Sequence, residues 1–379
     1  MLNNTDSEVR RRRTALALSG GIALGAYEAG AYEALHEAGG GLDPDWIAGA
    51  STGVMNAAII AGNPPERRVE RLRQFWAEAA DAMPFLSFWG VPGHGVLREG
   101  YNVASAMQSL MLGRPGIFHP RLVPDAGGRP GLYDLAPLAG RLQALVDFDR
   151  LNGGDIRLSV GATDVVSGER VVFDTHRGAR LGPEHVLASC ALLPIFAPVE
   201  VEGRLLGDGG LSCNAPADLV LREPEGGSDL LCFVVDLFAR QGHRPRSLAA
   251  ALNRAVDLMF GSQTWLALEA WRRERELRET AGRLIARLPP ESRDGPEAEQ
   301  LLRGGAAGAV TVLYLAYRAS TDEAGVAKAF DFSQATLADR WRAGRAHMRA
   351  ALRTLETLPP PPHGGDAGRG NFTIHEVQP

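Results

Sequence analysis

One serine in this chain stands where a serine can be made to react. Asp45-Trp46-Ile47-Ala48-Gly49-Ala50-Ser51-Thr52-Gly53-Val54-Met55-Asn56 reads as a buried strand turning sharply into a helix, with Ser51 at the turn. Gly49 and Gly53 flank it at two residues on either side, where a Cβ would obstruct the turn. The hydroxyl is then pushed out at the top of a sheet, facing the free N–H groups and positive dipole end of a helix starting near Thr52. That environment favours an attacking alkoxide and a tetrahedral oxyanion. In a chain with 45 glycines the Gly-x-Ser-x-Gly pattern is weak by itself, and a turn that only packs strand on helix is the plain alternative.

Two further stretches bear on the choice. Ser19-Gly20-Gly21-Ile22-Ala23-Leu24-Gly25 follows the apolar run Thr14–Leu18 and can present backbone N–H groups as an oxyanion hole. A dinucleotide-binding role fits it poorly, because the Gly-x-Gly-x-x-Gly spacing is not met and no acidic residue ends a following strand at the usual distance. Asp208-Gly209-Gly210 ends a predicted hairpin, Val199–Gly203 with Arg204–Gly207, and its glycines permit close approach to another loop. An Asx-type turn is its plain alternative. None of the nine histidines lies in a motif that places it beside Ser51.

These groups need a scaffold that brings them to one edge. Strand, helix over 23–38, second strand, Ser51 and second helix imply a right-handed crossover between parallel strands, with both loops at the same carboxyl edge. Strand patterns return over Ile156–Ala162, Arg170–Asp174 and Leu230–Asp236, and a short tight helix is expected at Ala188–Ala191. Residues 62–135 are less regular and read as an insertion or lid. Its Phe85, Phe88, Trp89, Met107, Leu110, Met111, Ile117 and Phe118 are candidates for an acyl-chain site, a lipid contact, or ordinary core.

At 379 residues with 45% hydrophobic content, the chain can bury a full core in one large domain or in a domain with an appendage. A net charge of −5 gives no attraction to nucleic acid. Cys190, Cys213 and Cys232 lack metal-ligand spacing and suit reduced, buried thiols in the cytoplasm. No metal or cofactor is expected. Arg10–Arg13 followed by an apolar stretch imitates a signal peptide, but the same residues supply the first strand and glycine loop, so a basic tail over 1–13 is the better reading. No apolar run approaches the roughly 18 residues that span a bilayer.

In order and spacing, Gly20 to Gly25, Gly49-Ala50-Ser51-Thr52-Gly53, and Asp208-Gly209-Gly210 with Asn214-Ala215-Pro216 resemble the patatin-like phospholipases, a family of serine acyl hydrolases. The resemblance covers roughly residues 14 to 240. It implies an α/β fold, a three-layer α/β/α sandwich with a mainly parallel central sheet. It also implies Ser51 as nucleophile, Asp208 as its dyad partner, and Gly20, Gly21 and Ile22 as the oxyanion loop. Ile22 replaces a usual third glycine and Leu24 a frequent basic residue. The implied substrate is a lipid carboxyl ester, phospholipid or lysophospholipid first, with contact to a membrane surface. An α/β-hydrolase with a triad completed by His243 is disfavoured, because Ser51 arrives after only two predicted strands. A catalytically silent lipid-binding protein on the same fold is the other alternative.

Beyond residue 240 the character changes. Ser247 to Arg287 reads as long helices, Ala309–Tyr317 as a strand-like run, and Ser333 as the N-cap of a final amphipathic helix to about Leu358. The expected division is a catalytic domain over 14–240, a mainly helical C-terminal region over 241–358, and a Pro- and Gly-rich tail over 359–379.

Overall fold

Strand side chains alternate between two faces, and here both faces are apolar, the pattern of a sheet covered by helices on each side. The structure, a computed structural model, describes residues 12–80, 93–124, 128–222, 228–293, 295–296, 298, 308–319, 323–359 and 372–378. The strands are β1 (Arg13–Leu18), β2 (Trp46–Ala50), β3 (His119–Pro120), β4 (Tyr133–Asp134), β5 (Arg157–Asp164), β6 (Arg170–Asp174), β7 (Val199–Val201), β8 (Arg204–Asp208), β9 (Leu230–Asp236), β10 (Val310–Ala316) and β11 (Phe372–Glu376). The helices are α1 (Ala26–Ala38), α2 (Thr52–Ala61), α3 (Pro65–Ala79), α4 (Val96–Leu112), α5 (Ala136–Leu145), α6 (Phe148–Asn152), α7 (Pro183–Cys190), α8 (Ala217–Arg222), α9 (Leu248–Ile285), α10 (Pro290–Arg293) and α11 (Gln334–Thr357).

The central sheet runs β11-β10-β9-β1-β2-β5-β8-β7, with β6 also on β5. From β11 to β5 every pairing is parallel; β6, β7 and β8 are antiparallel additions. Leu16, Leu18, Phe233 and Val235 face a core built with α1, α2, α3 and α11, while Ala15, Ala17, Cys232 and Val234 face α8 and α9. This is the three-layer, mainly parallel α/β arrangement expected from the sequence.

One detail of register positions the site. Along one edge of β5, β2 pairs as far as Ala50 opposite Gly161, and β8 then takes over with Asp208 opposite the next residue, Ala162. Two strands arriving from opposite directions therefore end side by side, and the residues at their ends, Ser51 and Asp208, become neighbours.

The insertion over 62–135 divides. Ile117 and Phe118 are buried core residues, Phe118 meeting Tyr133, Phe196, Phe330 and Phe332 edge-on or tilted, whereas Met107 and Met111 are exposed on α4. Leu110 packs on the main core, and Phe85, Phe88 and Trp89 lie outside the described residues. The reading of 359–379 as tail needs correction. Phe372–Glu376 is β11, paired in parallel with β10, because the apolar Phe372 and Ile374 give that stretch a face to bury in the α9 layer. Likewise β10 places the C-terminal region inside the central sheet. Among the described residues no helix is long and apolar enough to cross a membrane.

Candidate active site

Ser51 sits between β2 and α2 with φ 53° and ψ −125°, a left-handed conformation that costs a non-glycine residue about 1–3 kcal/mol. The turn is this tight because backbone packs on backbone. A Cβ on Gly53 would lie 2.5 Å from the Leu18 carbonyl oxygen, and one on Gly49 would lie 3.0 Å from Gly53. Ser51 occupies the N-cap of α2 yet makes no side-chain capping bond, so its hydroxyl is left for other partners at a helix N-terminus. The residue is 6% exposed.

Asp208 is 3% exposed. Burial pushes its carboxyl up to about 7, against the opposing pull of the nearby Ser51 hydroxyl and of the Gly210 N–H. The Gly210 bond is 2.6 Å long. Its backbone is tied on both sides, with its N–H donating to the Ala191 carbonyl at 2.9 Å and its carbonyl accepting from Thr163 Oγ1 at 2.9 Å. Gly209 brings the loop in close, since a Cβ there would stand 2.3 Å from the Gly161 oxygen and 3.1 Å from Ala50 Cβ.

The glycine loop arrives on the third side. A Cβ on Gly20 would lie 2.8 Å from Ser51 Cβ, so only glycine lets this backbone reach the serine. Its N–H, however, is taken up by Asn214, donating to Oδ1 at 3.1 Å and to the carbonyl at 3.2 Å. Among the described residues the N–H groups of Gly21 and Ile22 take no partner. Ile22 is left-handed, φ 53°, and begins the 3-10 turn Ile22–Gly25. Gly25 closes that turn against Thr52 and Trp76.

All ten residues singled out in the sequence, Gly20, Gly21, Ile22, Gly25, Gly49, Ser51, Gly53, Asp208, Gly209 and Gly210, thus belong to one strand edge. Among the described residues the Gly210 N–H donates to the Asp208 carboxyl and no histidine does, and His243 is exposed. Three residues carried no assigned role beforehand. Asn214 holds the glycine loop, Ser189 accepts the Ser51 N–H at 2.9 Å, and Cys190, next to Ser189, is buried with its thiol pushed up by burial and by the Asp208 carboxylate. Asn214 was visible in the run after Asp208, but Ser189 lies 138 positions from its partner and has no local signal. Among the described residues no group of three His, Cys, Asp or Glu side chains can hold a metal ion.

The patatin-like phospholipase family model matches residues 16–221, and a second model, described as a patatin phospholipase, matches residues 258–364. Curated protein sequences return no match. Among solved structures, VipD from Legionella pneumophila is similar at 16% identity and TM-score 0.38, over 90% of this chain and 67% of that one. ExoU, in its complex with SpcU from the type III secretion system of Pseudomonas aeruginosa, is similar at 17% identity and TM-score 0.26, over 92% and 78%. With residues 16–221 of 379 matched, more than half its length, the chain belongs to the patatin-like phospholipase family and is a lipid acyl hydrolase.

Proposed function

We propose that the chain hydrolyses carboxyl esters of phospholipids or lysophospholipids through a Ser51–Asp208 dyad and an acyl-enzyme. The observation that carries this reading is the register on β5, which ends β2 and β8 together and brings Ser51 beside the buried Asp208 carboxyl; burial raises that carboxyl to about 7. An ordinary aspartate near 4 is a feeble base, whereas one near 7 is matched to proton transfer at neutral pH. Ser51 Oγ attacks the ester carbonyl while Asp208 takes the hydroxyl proton. The carbonyl oxygen becomes an oxyanion facing the Gly21 and Ile22 N–H groups and the α2 N-terminus. The ester C–O bond then breaks, the proton passes from Asp208 to the leaving alcohol, and the acyl group stays on Ser51. Water, deprotonated by Asp208, attacks the acyl-serine; as the Ser51 Oγ–acyl bond breaks, Asp208 returns that proton to Ser51 Oγ and the fatty acid leaves. In this account Gly20 contributes space beside Ser51, and the next two residues contribute the donors.

Contact with a lipid surface falls to the outer face of α4. Val96, Leu97, Val103, Met107, Met111 and Leu112 are exposed there, and no charge occurs from Gly100 to Leu112. The adjoining β3–β4 hairpin adds exposed Leu122, Val123 and Leu132. The three free, buried cysteines support a reducing compartment, hence the cytoplasm, with the protein meeting membranes from that side.

Ser51→Ala and Asp208→Asn test the dyad. Each is expected to lower ester turnover by about two to four orders of magnitude in a folded protein, and the double variant by no more than the worse single one. A panel of p-nitrophenyl esters and defined phospholipids, with fluorophosphonate labelling of Ser51, measures this. Wild-type turnover in both variants, or no labelling and no cleavage by the intact protein, removes the proposal.

A further inference from the structure

Ser51 is held in a conformation its backbone resists, and something must hold it there. Helix α2 does so only on the carbonyl side, where the Ser51 oxygen accepts from Val54 N–H and Met55 N–H at 2.9 and 3.3 Å. On the amide side the partner is a side chain. Ser189 Oγ, fully buried at the end of α7, accepts the Ser51 N–H at 2.9 Å and donates its own proton to the Gly161 carbonyl at 2.6 Å. The hydroxyl proton is committed to β5 and a lone pair to the elbow, so its orientation is determined. Two residues on, the Ala191 carbonyl accepts the Asp208 N–H at 2.9 Å.

We infer that residues 189–191 act as a yoke across the two halves of the site, with Ser189 as a positioning residue that sets the Ser51 peptide plane against β5 while Ala191 sets the start of the Asp208 turn. This rests on the dyad reading for its catalytic consequence, but the clamp itself is a matter of hydrogen bonds. The yoke suits a site whose two partners lie on strands of opposite direction, because neither strand can fix the other's end. Segment 189–191 touches both and is anchored to β5, the strand they share. Removing the Ser189 hydroxyl leaves the Ser51 N–H buried without a partner and frees the strained peptide to turn, carrying Oγ away from Asp208.

Ser189→Ala, and Ser189→Cys as a variant of nearly unchanged volume, test this. The expected result is a fall in kcat of about 10- to 100-fold with KM within about twofold, matched by equally slowed fluorophosphonate labelling of Ser51. Amide hydrogen exchange at Ser51 should speed up by about tenfold or more, as its bond to Ser189 is lost. A purely structural role would lower the melting temperature without that split between kcat and KM. If Ser189→Ala fails to fold, Ser189→Cys decides. Wild-type kcat and labelling in folded Ser189→Cys overturn the positioning role, even where exchange accelerates, and unchanged exchange overturns the clamp. Should the wild type neither cleave esters nor take the label, the dyad reading falls while the exchange measurement still decides the clamp.

Discussion

The proposed base, Asp208, owes its proton affinity to burial. Asp208 is 3% exposed, so the cost of an unsolvated carboxylate raises it to about 7, and the Gly210 N–H only partly offsets that cost. Asp236, at the end of β9, is raised to about 7 by burial in the same way. For catalysis, only the ionised Asp208 accepts a proton, so kcat/KM should rise with pH through an ascending limb near 7. For stability the sign is opposite. A folded-state value above the unfolded value near 4 means the folded chain binds more protons between those limits. The favourable contribution is full below about pH 4 and lost as pH rises through about 7. Asp208→Asn should therefore be inactive yet more stable than wild type at pH 8, by up to about 4 kcal/mol, with the gap closing toward pH 4. Thermal melts across pH 4–8 beside rate profiles check both limbs, and a flat difference between variant and wild type would refute the assignment of the base. At this scale the sequence placed Ser51, Asp208 and their glycines at one sheet edge, as the structure does. It was silent on the Gly20 N–H, whose bond to Asn214 spans 194 positions, and on Ser189, since a lone serine in a short helix has no pattern to read.

Elements carry this geometry outward. The glycine loop runs directly into α1, and α1 crosses α11 with backbone touching backbone: a Cβ on Gly344 would fall 1.9 Å from the Tyr27 oxygen, and one on Gly30 2.0 Å from the Trp341 oxygen. The crossing is fastened on one side by the Arg345 and Arg349 pairs with Glu37, and inside by the hydrogen bond between the Tyr27 hydroxyl and His347. Gly344→Ala should thus push α1 away, costing about 1–3 kcal/mol of stability and lowering kcat as the Gly21 and Ile22 donors shift. Equal stability and activity would show that the helices yield there without moving the loop. On the opposite count, the exposed α4 face meets the lipid surface in the reading proposed above. Met107→Glu combined with Met111→Glu should abolish sedimentation with phospholipid vesicles and lower kcat/KM on vesicle substrate, leaving turnover of a soluble p-nitrophenyl ester within about twofold. The long helix α9 and the final helix α11, with Ser333 Oγ accepting the Thr336 N–H at 3.3 Å, followed the periodicity and capping signals of the sequence. β11 did not, because five residues following a Pro- and Gly-rich run hold too few alternations to outweigh that composition.

Across the whole molecule the second family match, residues 258–364, invites the picture of a catalytic domain with a separable appendage. The sheet argues against it. β9 is sandwiched between β1 and β10, with Val310 to Ala316 paired to Leu230 to Asp236 along the whole strand. Tyr314 in β10 also donates its hydroxyl to Asp236 Oδ2 at 3.1 Å. Beyond β10, the Val377 N–H donates to the Tyr314 carbonyl at 2.9 Å, and His347 Nε2 meets the Val377 carbonyl at 2.9 Å, closing the tail, α11 and α1 into one unit. A chain ending at residue 240 would expose the full edge of β9 together with Phe233 and Val235, and would strip α1 of the helix it crosses. Exposed apolar edges of that kind pair with other chains, so the truncated protein is expected to aggregate rather than to yield a free catalytic domain. A chain ending at residue 359 keeps β10 and α11 but loses β11, and should remain soluble with a lowered melting temperature and reduced turnover. Size-exclusion chromatography and ester assays on both truncations check the ordering. A monomeric chain of residues 1–240 with full activity would show that the strand edge at β9 is a true domain boundary, and that the glycine loop holds its shape without the helix behind it.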